Sequence, residues 1–264
     1  MEQRQLAWLI TTRSQVRVLV PQPKENTHLA VGVFFCYDWG MKHILITGGS
    51  DGLGKVVAQK LQAAGHAVTI LAKNELKTSA VAAEIGCKYV VADVTNATAM
   101  KAAIADAGQI DILINNAGVW VQGALDENSP EDVRQVMEVN ALGTMFVTQF
   151  VLPSMKGRQA GRIINVISQA GLGAKAERVA YNASKWAITG FTKSLQQELK
   201  PFGISVTGFY PGALNNDALF EKAGNPRDMS NGLDLGITAE ALVYICGLPN
   251  NVNVPELGIE SLDY

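Results

Sequence analysis

From residue 41 onward the chain alternates short runs of apolar, often β-branched residues with longer stretches of helical spacing. The runs at 43–47, 67–72, 88–92, 110–115, 162–167 and 204–209 are predicted strands, and a seventh is predicted within 252–259. Between them, the alanine-rich segments 54–64, 97–107 and 130–155 carry apolar residues at helical intervals, and 237–241 lies in a further predicted helix. Strands that are apolar almost throughout have no face to offer water. They therefore belong to a parallel sheet covered by helices on both sides. The first forty residues read differently: Pro21-Gln22-Pro23 and mixed polarity break any sustained period. Met41-Lys42-His43-Ile44-Leu45-Ile46 then opens a first strand, so the expected organisation is an appendage over 1–40 and one domain over 41–264.

Composition narrows the class. Hydrophobic residues make up 48% of the 264 residues and charged ones 17%, enough for a sizeable core. A net charge of −2 gives no electrostatic reason to expect nucleic acid or an anionic membrane as partner. Cys36, Cys87 and Cys246 are odd in number and lack ligand spacing, which points away from a disulfide framework and from a metal site. The apolar run 29–39 is too short to cross a membrane and contains Asp38. Ala7-Trp8-Leu9-Ile10 is likewise too short for a secretory core, and Glu2 and Glu25 dilute the presequence character of Arg4, Arg13 and Arg17. The expectation is a cytoplasmic enzyme.

Chemistry enters at the end of the first strand. Thr47-Gly48-Gly49-Ser50-Asp51-Gly52-Leu53-Gly54 joins that strand to a helix, where glycines let the backbone turn sharply and approach a pyrophosphate. The helix N-terminus offers N–H groups and a partial positive charge to the same anion. Further on, Tyr181 and Lys185 are four residues apart at the start of a helix and share one face. A free phenol, with a pKa of about 10, exchanges protons poorly near neutrality, and an ammonium within about 4–6 Å would lower that value. A surface helix with an incidental Tyr–Lys pair is the plain alternative; Ser168, thirteen residues upstream at a strand end, weighs against it. Asp93 and Asn115 also end strands, where an aspartate can simply cap the next helix and an asparagine can bridge neighbouring strands.

The T-G-x-x-x-G-x-G spacing resembles that of the short-chain dehydrogenase/reductase family, and the resemblance runs in order over about residues 41–212. Asp93-Val94, Asn115-Asn116-Ala117-Gly118, Asn140, Ser168, Tyr181, Lys185 and Pro211-Gly212 fall where that family carries its motifs. The resemblance implies a Rossmann-type doubly wound parallel sheet of about seven strands in a single domain. It also implies an NAD(P)-dependent oxidoreductase that interconverts a carbonyl and an alcohol on a small-molecule substrate. Tyr181 would be the acid/base, Lys185 would hold the nicotinamide ribose, Ser168 would bind the substrate oxygen, and Asn140 would support a water leading to Lys185. The implied cofactor contacts are Gly48, Ser50, Asp51, Gly52, Leu53 and Gly54 in the turn, Lys73 and Asn74 after the second strand, and Asp93 and Val94 after the third. Asn115, Ala117, Gly118, Tyr181, Lys185, Pro211 and Gly212 complete the set.

The second strand ends Leu71-Ala72-Lys73-Asn74 without the carboxylate that would select NAD, and Lys73 suits a 2′-phosphate. Asp51 works against that phosphate; with the two signals opposed, NADP is favoured and NAD is the alternative. The tail Pro249-Asn250-Asn251-Val252-Asn253-Val254-Pro255-Glu256-Leu257 resembles the branch acting on small 3-hydroxy acids and serine- or threonine-like substrates. Pro255 departs from that pattern and is expected to interrupt strand pairing. Trp120, Gln169 and Leu172 would border the pocket, with Lys175 and Arg178 as possible attractants for a carboxylate. A homodimer or homotetramer is implied by the resemblance alone. The competing functions are a 3-oxoacyl-thioester reductase and a non-catalytic dinucleotide sensor on the same fold.

Overall fold

A computed structural model describes residues 40–216 and 230–262. The appendage expected over 1–40 lies, apart from Gly40, outside the described residues. Seven parallel strands form one sheet in the order β3-β2-β1-β4-β5-β6-β7. They are β1 (His43–Thr47), β2 (Ala67–Ala72), β3 (Lys88–Val91), β4 (Ile112–Asn115), β5 (Gly161–Val166), β6 (Ile204–Pro211) and β7 (Glu256–Ile259). The order reverses between β1 and β4, which opens a crevice beyond their carboxyl ends.

Side chains alternate across the strands and so build two cores. Ile44, Ile46, Ile70 and Ile114 face α1 (Gly52–Ala63) and its neighbours on one side. Leu45, Leu71, Leu113 and Ile163 face the other side, in a cluster with Met100 of α3 (Ala97–Ala107). The second helix, α2 (Glu75–Ile85), starts at the N-cap Asn74, whose side chain accepts from Lys77 N at 2.9 Å.

The predicted helix 130–155 is a continuous run in three parts: α4 (Pro130–Val136), a π-helical segment (Met137–Gly143) and α5 (Thr144–Arg158). This 29-residue run has the length and hydropathy of a membrane span, a feature the sequence reading did not single out. In the fold, its residues Val147, Val151 and Met155 pack into the second core. Then come α6 (Val179–Leu199) and α7 (Leu235–Cys246), the latter covering α1.

The tail is tied down by a buried guanidinium. Arg162 Nη2 donates to the carbonyls of Leu248, Pro249 and Val252 at 3.1, 3.0 and 3.1 Å. Pro255 does not interrupt pairing as expected, because β7 starts one residue later and the Pro255 carbonyl accepts from Gly208 N at 3.0 Å.

Gly54 sits under the turn that opens α1, where a Cβ would stand 2.5 Å from both the Gly48 carbonyl oxygen and Asn116 Nδ2. Backbone cannot yield cheaply there. Gly54→Ala is expected to lower stability by about 1–3 kcal/mol in urea unfolding; an unchanged midpoint would contradict this packing.

Candidate active site

The turn after β1 passes Gly48 and Gly52 at φ +66° and +47°, a region that side chains beyond glycine enter at a cost. The loop after β4 is clamped onto it. Buried Thr47 accepts through Oγ1 from Asn116 N and Ala117 N, both at 3.0 Å. Asn116 Nδ2 in turn donates to the carbonyls of Thr47 and Gly48, at 3.1 and 3.3 Å. Asp51 is the N-cap of α1: its carboxylate accepts from Gly52 N at 2.9 Å and from Lys77 Nζ at 2.6 Å.

An elongated cleft of about 1230 Å³ runs over this turn to the start of α6. Lys73, Asn74 and Lys77 line one end, Ser50, Leu53, Asp93, Val94, Ala117 and Gly118 the middle, and Ser168, Tyr181, Lys185, Pro211 and Gly212 the other. Trp120, Gln169, Leu172, Lys175 and Arg178 border it as the sequence suggested.

Ser168 stands just past β5 with φ +139°, a strained conformation for a residue with a side chain. Its Oγ accepts from Ala170 N at 3.1 Å, and its side chain is near enough to the Tyr181 phenol to pull its pKa down. Lys185 Nζ lies 5.6 Å from the Tyr181 ring centroid and donates to the Val166 carbonyl at 3.4 Å. The Trp120 ring leans on Tyr181 with centroids 4.4 Å apart.

Electrostatics here departs from the sequence expectation. Burial pushes the Tyr181 phenol up to about 12, against smaller downward pulls from the Ser168 side chain and the Arg178 charge. Burial also drags Lys185 down to about 8, and the ammonium is not among the influences on the phenol. Desolvation, which disfavours the charged form of each, is the largest influence on both groups.

Two expected contacts lie elsewhere. Asn115 turns inward, with Nδ2 donating to Thr148 Oγ1 and, across to β5, to Asn165 Oδ1, both at 2.9 Å. Gly54 is packed beneath the turn rather than along the cleft. Asp93 lines the cleft while capping locally, accepting from Thr95 N and Oγ1 at 3.0 and 2.8 Å. Asn140 is fully buried: Oδ1 accepts from Val119 N at 2.8 Å, and Nδ2 donates to Val119 O and Ser184 Oγ at 3.0 Å. It holds the loop after β4 against α6. The sequence reading missed Asn116, although the motif contained it, and missed Lys77. A signal for Lys77 was its place in the first turn of the helix that follows Lys73-Asn74.

A dinucleotide fits these residues. The cleft exceeds the roughly 300–1,000 Å³ of ordinary small-molecule sites. A Cβ added at Gly118 would stand 3.7 Å from Lys185 Nζ, so the missing side chain keeps room beside the amine.

The short chain dehydrogenase family matches residues 42–225. An uncharacterized oxidoreductase of Staphylococcus epidermidis is 32% identical over 232 residues, covering 83% of this chain and 96% of its own length. Among solved structures, an alcohol dehydrogenase from the archaeon Thermococcus sibiricus, complexed with 5-hydroxy-NADP, superposes with a TM-score of 0.78 at 26% identity. It covers 85% of this chain and 98% of its own. A serine dehydrogenase complexed with NADP+ also gives 0.78, at 27% identity, over 83% and 95% of the two chains.

The lowered Lys185 pKa has a consequence for stability. Between about 8 and its ordinary 10.5, the unfolded chain binds a proton that the folded chain has released, so this group makes stability rise with pH. Below 8 both states hold the proton and the full desolvation cost stands. Lys185→Met should therefore be more stable than the parent at pH 7, on the order of 3 kcal/mol at most, with the gap narrowing from about pH 8 and closing only above about pH 10.5. Parallel stability–pH curves for the two proteins in urea unfolding would contradict this.

Proposed function

The chain belongs to the short-chain dehydrogenase/reductase family as an NAD(P)-dependent oxidoreductase, and on that premise we propose that it interconverts a carbonyl and a secondary alcohol with Tyr181 as acid/base. The supporting observation is the convergence of Ser168, Tyr181 and Lys185 at one end of a cleft that continues over the glycine turn. The nicotinamide, when bound, supplies or accepts the hydride. In reduction, Tyr181 gives its proton to the substrate oxygen; in oxidation it takes that proton back. The high phenol pKa keeps the proton on Tyr181 at neutral pH, ready for donation. Ser168 hydrogen-bonds the same oxygen and stabilises charge developing there. Lys185 binds the nicotinamide ribose, and its low pKa allows it to exchange a proton near neutrality. Asn140 positions α6 and the Val119 loop.

NADP is the preferred cofactor in this reading. Asp51 alone would repel a 2′-phosphate, but Lys77 Nζ holds its carboxylate at 2.6 Å, and exposed Lys73 lines the same end of the cleft. Two lysines against one carboxylate leave a net positive end, and both structural relatives described above hold NADP or a derivative of it. The substrate class is a small hydroxy or oxo acid, on the strength of the tail. The free thiols Cys87 and Cys246 favour a reducing cytoplasm. Exposed Leu142 and Trp186, on contacting helical segments, favour a homo-oligomer.

Tyr181→Phe is expected to cut turnover by at least about a hundred-fold while leaving dinucleotide affinity within a few-fold. Reduced-nicotinamide absorbance and a binding titration read the two quantities, and near-normal turnover would refute the assignment. Replacing Lys73 and Lys77 together with alanine should weaken NADPH binding about ten-fold or more, against little change for NADH. An unaltered ratio of the two dissociation constants would remove both lysines from cofactor selection.

A further inference from the structure

Arg178 is placed by its surroundings, and beyond the pull of its charge on the Tyr181 phenol it has been given no role above. Its guanidinium carbon lies 5.0 Å from the Trp120 ring centroid, and that indole in turn packs on Tyr181. The backbone is fixed as well: Arg178 pairs with Gly123 in an isolated bridge, and Gly123 N donates to the Glu177 carbonyl at 3.0 Å. No carboxylate among the described residues forms an ion pair with it. Five acids line the same crevice: Asp51 pairs with Lys77, Asp93 caps its own turn, Glu260 follows β7 and is exposed, and Glu127 and Asp132 are spent on local turns. Glu127 Oε2 accepts from Ala124 N at 3.0 Å, and the Asp132 carboxylate accepts from Ser129 Oγ and N at 2.7 and 3.2 Å.

A half-buried guanidinium stacked on an indole has lost hydration on one face while its N–H fork stays in the plane. That fork matches the two oxygens of a carboxylate. Arg178 also precedes Tyr181 by three residues, so a ligand held by one lies within reach of the other. Lys175 lines the same stretch of the cleft and adds positive charge.

The geometry points to Arg178 as the specificity-determining residue, receiving the carboxylate of an oxo or hydroxy acid whose reacting carbon faces Tyr181. This rests on the reading of Tyr181 as acid/base and deepens it, because it fixes which group of the substrate is recognised and by what.

The test compares acetoacetate, levulinate and 5-oxohexanoate with their methyl esters, both as substrates for reduction and as titrants of the dinucleotide-loaded protein. At least one acid should be favoured over its ester by about ten-fold or more in kcat/KM or, where none is turned over, in Kd. In Arg178→Gln that ratio should fall to within about three-fold of unity, and Arg178→Lys should keep part of it as a point charge without the fork. Equal treatment of acid and ester across the series by the parent protein, or a ratio kept intact by Arg178→Gln, overturns the proposal. Failure of the underlying reading is distinguishable, since it appears as turnover that survives in Tyr181→Phe whatever the acid-to-ester ratio.

Discussion

An amine taken out of water without a carboxylate to answer it is the constraint around which the site is arranged. Lys185 is only 6% exposed, and among the described residues its Nζ makes one hydrogen bond, the long one to the Val166 carbonyl. Such a group stabilises nothing on its own; it must be held in place by elements whose stability comes from elsewhere. The holding is visible along α6. Ser184 Oγ donates to the Tyr181 carbonyl at 2.7 Å and accepts from Asn140 Nδ2. One turn on, Thr189 Oγ1 donates to the Gly171 carbonyl at 3.0 Å, and Thr192 Oγ1 accepts from Asn165 Nδ2 at 2.8 Å. These buried bonds fix both rotation and height of the helix, while Leu195 and Leu199 anchor its far end in the second core. Tyr181 and Lys185 ride on a face that packing has already oriented.

The same economy governs the crevice. A parallel sheet brings every strand's carboxyl end to one edge, and the reversal between β1 and β4 parts the connections there. The two loops that meet at the reversal are then locked together by Thr47 and Asn116, which leaves few unpaired backbone groups at a buried junction. Arg162 ties down the segment leading to β7 from beneath the sheet, and β7 delivers Glu260 and Ser261 to the cleft wall above.

What could be read from the sequence was whatever depends on period and order. β1 and β2 lie at their predicted bounds, and α3 spans 97–107 as expected, because an uninterrupted apolar run or an alanine-rich helical period admits one solution in a two-faced sheet. The π-helical turn at Met137–Gly143 left no trace, since it differs from an α-helix only in backbone bonding. Asn115 and Asn116 were equivalent letters in a motif. Which one faces the cleft depends on strand alternation at the end of β4, where a one-residue shift exchanges the faces. Lys77 was hidden for another reason: its partner Asp51 is twenty-six residues away, and only the parallel pairing of β1 with β2 brings their following loops together. The sign of the tyrosine shift also escaped, because burial is a property of the whole fold and not of a four-residue spacing.

Ser168 carries the argument one step further. At φ +139° its backbone sits where glycine is at ease and serine is not, a strain on the order of 1–3 kcal/mol. Glycine there would relax the chain but remove the hydroxyl near the phenol, so local comfort and site geometry are opposed. The neighbours settle the contest: Ala170 N donates to Ser168 Oγ, Ile167 N donates to the Phe209 carbonyl at 2.7 Å, and Gln169 Nε2 donates to the Tyr210 carbonyl at 3.2 Å. Strand β6, buried along its whole length, thus clamps the residues on both sides of the serine. The strain is carried by the same central strands that build the core, which is why a conformation unfavourable to one residue can persist at the edge of the sheet.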